Sequence, residues 1–419
     1  MLNNYTEEWK PIPGFFGLYE ASTYGRIRNT RGKILKTYKI NSGYHCLKFT
    51  VNNVRTTHLV HRLVAITFLG TFTTRKEVNH IDENKNKGNY VIFDWDYTSI
   101  YQDTQENLFR YQIDKLKFKM TPEEFSRAIR KDIPLDNFSD EYRNTSGGSI
   151  NITKIGNDLD KRYAFIYENY IKNKKMSLEE IHKTEEFKDF RGKLAFLYEA
   201  IGGSFSHDVS YPWVLYLFHG MTQNEVKELT KEANDFGIGN RLGKYVLESS
   251  DRLTGETGKV TYEYKSGLRT QPEIANLFHE FEKNGIKVYV VTASLEDVVR
   301  VFATDKSYGY NVSSENVYGM RLEMVGDKYT AQYRKDYPQT QTKGKVEVIN
   351  RFIKPKHNGR DPILVAGDSV GDENMLKEYK GTKVLLIMKR KDKLDDLVKD
   401  KRSLIQKRNE ITGLLSPEN

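Results

Sequence analysis

The apolar run at residues 90–93 ends abruptly in two carboxylates, and this feature most constrains what the chain can fold into. The run is Tyr-Val-Ile-Phe, and Asp94-Trp-Asp96 follows it directly. A short apolar run of this kind predicts a buried strand, and desolvated like charges at its end repel each other. A divalent cation would neutralise them, since hard cations such as Mg²⁺ bind carboxylate oxygens. A solvated Asp-rich turn is the alternative explanation of this segment taken alone.

The spacing of the two acids allows them separate chemical roles. The first, Asp94, can attack a phosphorus centre as a covalent nucleophile. The second, Asp96, can protonate the leaving group and later activate water. The pair therefore suggests phosphoryl transfer, provided that the rest of the chain supplies phosphate ligands.

Two downstream segments offer such ligands. A β-branched run ends in Thr292, whose hydroxyl group can donate a hydrogen bond to a phosphoryl oxygen. Lys345 stands one turn before a group of apolar residues, which is typical of a helix start that presents an ammonium group to a dianion. Lys343 is the rival for this role, and its downstream apolar spacing fits a helix less well.

A further apolar run, at residues 363–366, leads into Gly-Asp368, and Asp372 follows four residues later. A solvated acidic turn would explain this segment too. The order of all four segments along the chain, each on its expected element, favours a single phosphoryl-transfer site.

The four segments resemble the haloacid dehalogenase-like hydrolases, in their phosphoserine-phosphatase-like branch. The resemblance implies an α/β fold, a doubly wound parallel sheet whose site lies at the carboxyl ends of the strands. It implies an aspartyl-phosphate on Asp94, general acid and base catalysis by Asp96, and phosphate binding by Thr292 and Lys345. The implied Mg²⁺ site is formed by Asp94, the carbonyl group of Asp96, Asp368 and Asp372.

About 190 residues separate the first two segments, which is far too long for a loop in a compact core. Capping patterns at Thr121, Ser177 and Thr222 predict helices there, and Pro272 is expected to begin another. The family places a cap domain in this stretch. Such a cap would cover the site, exclude water and select the substrate.

Aromatic and acidic residues near the two acids and in the cap resemble those of phosphorylcholine phosphatases. A quaternary ammonium group binds to aromatic faces, so we expect a small phosphomonoester substrate: phosphorylcholine, phosphoethanolamine or phosphoserine. Ordinary cap packing is the alternative explanation, because the chain holds 27 Tyr and 21 Phe. The candidate substrate-binding residues are Trp95, Tyr97, Glu106, Tyr211 and Trp213.

The first 88 residues carry different motifs. Residues 8–28 resemble the NUMOD4 DNA-binding motif, and an amphipathic helix at 60–68 followed by residues 77–85 resembles the start of an HNH homing endonuclease. The resemblance implies His80 as a general base and puts Asn79 where a metal ligand normally lies. The pattern stops after Lys87, so DNA cleavage is doubtful. A mobile-element DNA-binding or nicking protein is nevertheless the alternative function.

Charge is concentrated in the same segment. Residues 1–88 contain 14 Lys and Arg against 6 Asp and Glu, whereas the rest of the chain contains 52 against 51. Contact with DNA phosphates requires such an excess, so double-stranded DNA is the partner expected for residues 1–88. A generic basic surface is the alternative. Near the other end, the charge-dense residues 389–402 predict a solvated helix.

Global features favour a cytoplasmic enzyme of several domains. One cysteine, Cys46, excludes an internal disulfide, and the chain has neither a basic-then-apolar leader nor an apolar run of membrane-spanning length. The predicted domains are a NUMOD4-like motif at 1–50, a partial HNH-like module at 51–88, a hydrolase core at 89–99 and 266–419, and a helical cap at 100–265.

Overall fold

The computed structural model describes residues 7–40, 44–51, 54–69, 86, 88–390 and 394–416. The chain forms two compact units, Met1–Lys85 and Asn86–Asn419. The finer domain limits given above stay predictions. Among the described residues, no helix combines the length and the apolar character that a bilayer crossing requires.

The described part of the first unit is built of short strands and a helix, and the helix lies where the sequence predicts it. Two three-stranded antiparallel sheets and the helix Val60–Leu69 enclose a small core that includes Phe49 and Leu63. The ring of Tyr19 stacks on Phe49 at 4.0 Å between centroids. The strands are β1 (Trp9–Pro11), β2 (Tyr19–Ser22), β3 (Ile27–Asn29), β4 (Tyr38–Lys39), β5 (His45–Val51) and β6 (Val54–Leu59).

The second unit is organised around a six-stranded sheet in the order β11-β10-β7-β14-β15-β16. Every neighbouring pair in it is parallel, so the predicted doubly wound α/β sheet is confirmed. The strands of this unit are β7 (Tyr90–Phe93), β8 (Gly243–Glu248), β9 (Thr261–Ser266), β10 (Lys287–Leu295), β11 (Val317–Met320), β12 (Leu322–Val325), β13 (Lys328–Tyr333), β14 (Leu364–Gly367), β15 (Val384–Met388) and β16 (Ser403–Gln406).

Alternate residues of β7 point to opposite faces of the sheet, and helices cover both faces. Val91 and Phe93 pack into one apolar cluster, whereas Tyr90 and Ile92 pack into another. Strands buried on both faces are apolar throughout, which explains the unbroken apolar run. The helices that follow or flank the strands are Pro272–Lys283, Glu296–Thr304, Lys343–Val348, Glu373–Glu378 and Asp395–Val398.

The predicted, mainly helical cap lies in the chain between β7 and β10. Its helices begin at the expected positions, since Thr121, Ser177 and Thr222 each form a reciprocal capping box with a Glu three residues later. The hairpin β8–β9 is its strand-rich part. The helices of this stretch are Thr104–Lys115, Pro122–Arg130, Ile152–Ile166, Leu178–His182, Glu185–Ser204, His207–Trp213 and Gln223–Gly239.

A buried ion group stabilises the inside of this helical part. The ammonium group of Lys193 is fully buried and lies 2.9 Å from the Asp158 carboxylate and 3.0 Å from that of Asp189. It also donates to the carbonyl groups of Leu253 and Thr254. A buried charge is tolerated only when it is paired and hydrogen-bonded in this way.

The prediction of a solvated helix at residues 389–402 is wrong. Among the described residues of this segment, Asp395–Val398 alone is helical, and the chain then continues into β16, which pairs in parallel with β15. Pairing with the open edge of the sheet therefore outweighs the local charge pattern. One consequence is that Arg390 lies two residues after the end of β15, at the same edge of the sheet as the predicted acids.

Candidate active site

The carboxyl ends of three adjacent strands bring the predicted acids together. Phe93, the last residue of β7, is in register with Val290 of β10 and Ala366 of β14. The backbone N–H group of Asp94 donates to the carbonyl group of Ala366 at 3.0 Å. Parallel strands end at one edge of a sheet, so the residues that follow β7 and β14 share this edge with the end of β10.

Lys345 lies at the centre of the acidic group. Its ammonium nitrogen is 2.6 Å from Oδ1 of Asp94 and 2.7 Å from Oδ1 of Asp372, and the side chain is only 2 % exposed. Burial alone would lower the pKa of Lys345, but the charges of Asp372 and Asp94 outweigh burial and hold its pKa above the ordinary value. Lys343, the rival for this role, has an exposed side chain.

Three buried carboxylates form a compact group of oxygen donors. One carboxylate oxygen from each of Asp94, Asp368 and Asp372 lies within 4.8 Å of the others. Burial, with the charge of Asp372, raises the pKa of Asp94 well above its ordinary value and that of Asp368 to about 6. This donor set fits a hard divalent cation such as Mg²⁺, which favours carboxylate oxygens and would neutralise the group.

The carboxylate of Asp96 is held apart from this group. Its Oδ1 accepts hydrogen bonds from the backbone N–H and the hydroxyl group of Thr104, both at 2.7 Å, and its Oδ2 accepts one from the Ser294 hydroxyl at 2.6 Å. Burial raises the pKa of Asp96, although these hydrogen bonds oppose that shift. An oriented carboxyl group with a raised pKa is suited to give and take a proton near neutral pH.

Thr292 is buried on β10 beside these acids. Its hydroxyl oxygen accepts a hydrogen bond from the backbone N–H of Ser294 at 3.1 Å, and its carbonyl group accepts one from the Thr340 hydroxyl at 2.5 Å. Both Thr292 and Ser294 line the cavity described next.

A cavity of about 390 Å³ connects the acids to the helical part of the same unit. Three of the predicted substrate-binding residues line it: Tyr97, Glu106 and Tyr211. Glu106 pairs with Arg110 at 3.5 Å. Burial is the main cause that raises the pKa of Tyr211 to about 12. Three lining residues that sequence reasoning missed are Tyr142, Tyr198 and Glu199.

Trp95 and Trp213 do not line this cavity, contrary to the prediction. Both side chains are fully buried. The Trp95 indole N–H donates to the Thr104 hydroxyl at 3.2 Å, and that of Trp213 donates to the Ile129 carbonyl at 2.9 Å. The physical reason is that large apolar rings pack into the core once their single donor has a partner.

Arg390 is a second feature that the sequence did not reveal. Its guanidinium Nη1 lies 3.2 Å from Oδ2 of Asp368, and its central carbon lies 3.4 Å from the ring centroid of Tyr97. No local signal indicated this position, because the residue belongs to a charge-dense run that is typical of a solvated surface. The HNH-like residues Asn79 and His80 lie outside the described residues.

Comparison with known proteins agrees with this geometry. Residues 243–377 match the haloacid dehalogenase-like hydrolase family, and residues 7–50 match the NUMOD4 motif. The phosphorylcholine phosphatase of Pseudomonas aeruginosa is 26% identical over 312 residues, which cover 69% of this chain and 70% of that protein. A protein of unknown function from Anaerococcus prevotii, whose crystal structure is known, is 33% identical to this chain, with a TM-score of 0.74. The match covers 80% of this chain and 90% of that protein.

The N-terminal part has relatives of a different kind. The DNA endonuclease I-HmuI of Bacillus phage SP01 is 35% identical over 89 residues, which make up 21% of this chain and 51% of that protein. An HNH endonuclease of Acanthamoeba polyphaga mimivirus is 40% identical over 89 residues, only 26% of its own length.

The parallel sheet, the buried acids at its edge and these matches together identify the class. The second unit carries a haloacid dehalogenase-like hydrolase domain, and the chain is similar in sequence to a phosphorylcholine phosphatase. Ahead of the hydrolase it carries a NUMOD4 motif and an HNH endonuclease-like segment.

Proposed function

We propose that the protein is a Mg²⁺-dependent phosphomonoesterase that acts through an aspartyl-phosphate on phosphorylcholine or a closely similar cationic phosphomonoester. The observation that carries this proposal is the separation of two neighbouring acids. Asp94 bonds to Lys345 inside a group of three carboxylates, whereas Asp96 is fixed outside that group by Thr104 and Ser294.

The reaction then proceeds in two displacements. In the first, a carboxylate oxygen of Asp94 bonds to phosphorus while the ester P–O bond breaks, and Asp96 gives its proton to the departing oxygen. In the second, Asp96 takes a proton from water as the water oxygen bonds to phosphorus, which releases phosphate and restores Asp94. The ammonium group of Lys345 and the hydroxyl group of Thr292 stabilise the negative phosphoryl oxygens.

Mg²⁺, when bound, would add charge neutralisation at the transferred phosphoryl group. Asp94, Asp368 and Asp372 are the side chains that would hold it, because their oxygens are already close together and buried. Lys345 would remain as a fixed positive charge beside the nucleophile.

The cavity supports a cationic leaving group. Its lining combines the rings of Tyr97, Tyr198 and Tyr211 with the carboxylates of Glu106 and Glu199. Aromatic faces and negative charge attract a quaternary ammonium group. Glu106 is partly neutralised by Arg110, so Glu199 is the second acid available to a cation. A carboxylate-bearing substrate such as phosphoserine would be repelled there. The similarity to a phosphorylcholine phosphatase points in the same direction.

Phosphate release from choline phosphate, ethanolamine phosphate and phosphoserine with Mg²⁺ tests the substrate. We expect the highest kcat/KM for choline phosphate and the lowest for phosphoserine. Asp94→Asn should abolish release, and Asp327→Asn, the same change at an exposed acid, should leave it intact. Activity that survives in Asp94→Asn would reject the nucleophile.

A second experiment addresses the covalent intermediate. The p-nitrophenolate leaving group needs no protonation, so Asp96→Asn should still undergo the first displacement and then stall. We expect a burst of nitrophenolate equal to the enzyme concentration, and a mass increase of one phosphoryl group on the protein. A variant that turns over without a burst would contradict the role of Asp96 in the second step.

We also propose that residues 1–88 bind double-stranded DNA, without proposing that they cut it. The observation that favours this function is the concentration of positive charge there, together with the NUMOD4 and endonuclease similarities. Arg26 and Arg28 are paired with Glu7 and Glu20, so other basic residues must supply part of the phosphate contacts.

Gel-shift titration of the full chain at several salt concentrations tests DNA binding. Affinity should fall steeply with salt, and replacing the exposed Arg31 and Lys33 by Gln should weaken it. The matched control replaces Lys174 and Lys175, which are exposed in the second unit, by Gln. An absence of binding even at low salt, or an equal effect of both pairs, would reject this function.

A further inference from the structure

The turn that follows the two catalytic acids has an unfavourable backbone conformation. Tyr97 has φ of +58°, a region that is uncommon for residues other than glycine and costs free energy. Local contacts support it, since its backbone N–H donates to the Gln102 carbonyl at 3.2 Å and its phenol donates to Oε1 of Gln102 at 3.0 Å. Because Tyr97 directly follows Asp96, its conformation decides how the acids are presented.

A residue more than three hundred positions away holds the same turn. The Arg408 guanidinium donates to the carbonyl group of Tyr97 at 2.7 Å and to that of Thr98 at 3.4 Å, and it lies 5.2 Å from the ring of Tyr101. Within the described part of the chain, Arg408 forms no salt bridge, and its Nε is buried without a hydrogen-bond partner. Burial lowers its pKa to about 10.

This arrangement is costly for a purely structural contact. A partly buried cation without a carboxylate partner loses hydration that two carbonyl groups replace only in part. Neutral donors would satisfy the same carbonyl groups at a smaller cost. Strain and costly burial of this kind are found where a functional geometry must be maintained.

Arg390 acts on the other side of the turn. Its guanidinium stacks on the Tyr97 ring and donates to Oδ2 of Asp368, while Oδ1 of Asp368 accepts a hydrogen bond from the Thr98 hydroxyl at 3.4 Å. The stacked cation thus links the turn to one acid of the three-carboxylate group. A planar guanidinium can stack and donate at once, which a lysine cannot reproduce.

We propose that Arg390 and Arg408 are positioning residues that clamp the Tyr97 turn, so that the chain segment after β15 is a working part of the active site. Arg408 fixes the backbone of the turn, and Arg390 orients Asp368 relative to it. The catalytic arm of this inference rests on the proposed phosphomonoesterase function, whereas its metal-binding arm does not.

The first test uses Arg408→Met, with p-nitrophenyl phosphate as substrate. A displacement of the acids by about 1 Å lowers kcat about 100-fold, and KM should stay within about threefold because the phosphate ligands are elsewhere. Lys407→Met, the same substitution at the neighbouring exposed residue, should change neither constant. If Arg408→Met does not fold, as judged by circular dichroism, Arg408→Lys replaces it and should lower kcat about tenfold. Wild-type kcat in a folded variant would overturn the role of Arg408.

The second test measures Mn²⁺ binding by the electron paramagnetic resonance signal of the free ion, without any substrate. Arg390→Lys retains the positive charge, so a change in affinity reports geometry. We expect a loss of about tenfold, the usual effect of removing a residue that orients a metal ligand. Arg334→Lys, the same change at an exposed residue, is the control. An affinity within twofold of wild type would overturn the role of Arg390.

The two tests separate the possible failures. If wild-type protein hydrolyses no phosphomonoester, the proposed function fails while the Mn²⁺ measurement still decides whether Arg390 orients Asp368. If wild-type protein is active and neither arginine variant differs from its control, the clamp is rejected and the phosphomonoesterase function stands.

Discussion

Replacement of Lys345 by Met tests the centre of the proposed mechanism. The substitution keeps most of the side-chain volume and removes the only ammonium group that contacts Asp94 within the described residues, at 2.6 Å. It also removes the partner of Asp372 at 2.7 Å. Because Lys345 is 2 % exposed, water cannot enter freely to replace it.

The magnitude follows from these distances. With an effective dielectric constant of about 20, each contact provides about 6 kcal/mol of attraction before desolvation is subtracted. Removing one partner of a buried ion group lowers the free energy of unfolding by about 3–5 kcal/mol. The loss of one positive donor to a developing phosphoryl charge lowers kcat by about 10²–10³-fold. The nucleophile is impaired as well, because Lys345 opposes the burial that raises the pKa of Asp94. We therefore expect kcat/KM to fall about 10³-fold or more.

Steady-state hydrolysis of choline phosphate and p-nitrophenyl phosphate measures the loss of kcat/KM, and urea unfolding measures the loss of stability. The free energy of unfolding should fall most without divalent cation and recover in part with Mg²⁺, since a cation can neutralise the carboxylates that have lost their ammonium partner. Lys343→Met is the matched control, because Lys343 lies two residues away with an exposed side chain. A Lys345→Met variant that retains kcat/KM within threefold of wild type, or an equal loss in Lys343→Met, would refute the reasoning.

Three other substitutions have expected outcomes. Glu199→Gln should raise the free energy of unfolding slightly at neutral pH and lose this gain as pH falls below the ordinary carboxyl pKa, because desolvation at the cavity raises the pKa of Glu199, and the effect is small because the residue keeps an exposed surface; urea unfolding at pH 4 and pH 8 measures it, and equal effects at both would contradict it. Lys193→Met should destabilise the protein by about 3–5 kcal/mol because two buried carboxylates lose their cation, whereas Lys188→Met, a change at a largely solvated ion pair on the same helix, should cost less than about 1 kcal/mol. Gly344→Ala should lower kcat, since a Cβ atom there would lie 1.7 Å from the carbonyl oxygen of Gln339; normal kinetics of the variant would show that the loop before Lys345 adapts.

Local sequence patterns determined the framework of this protein. The apolar runs before Asp94 and Asp368 specify buried parallel strands, because only a sheet covered on both faces uses unbroken apolar sequence. The Ser or Thr residues that cap the helices act through hydrogen bonds three residues away, so their effect is encoded in neighbouring positions. The order of the strand-end acids, the helical spacing after Lys345 and the resemblance to a known family together predicted which acids and which lysine share one edge.

Only the tertiary structure decided the walls of the site. Tyr198 and Glu199 line the cavity because the helix Glu185–Ser204 packs with that face toward it. Nothing in their local sequence distinguishes them from core or surface residues. Trp95 is an aromatic residue between the two acids, as a substrate-binding residue could be, yet its side chain points into the core. Arg390 and Arg408 lie beside the Tyr97 turn because β15 and β16 pair at the edge of the sheet. Contacts between residues so distant in sequence depend on packing of the whole chain, and no short-range pattern records them.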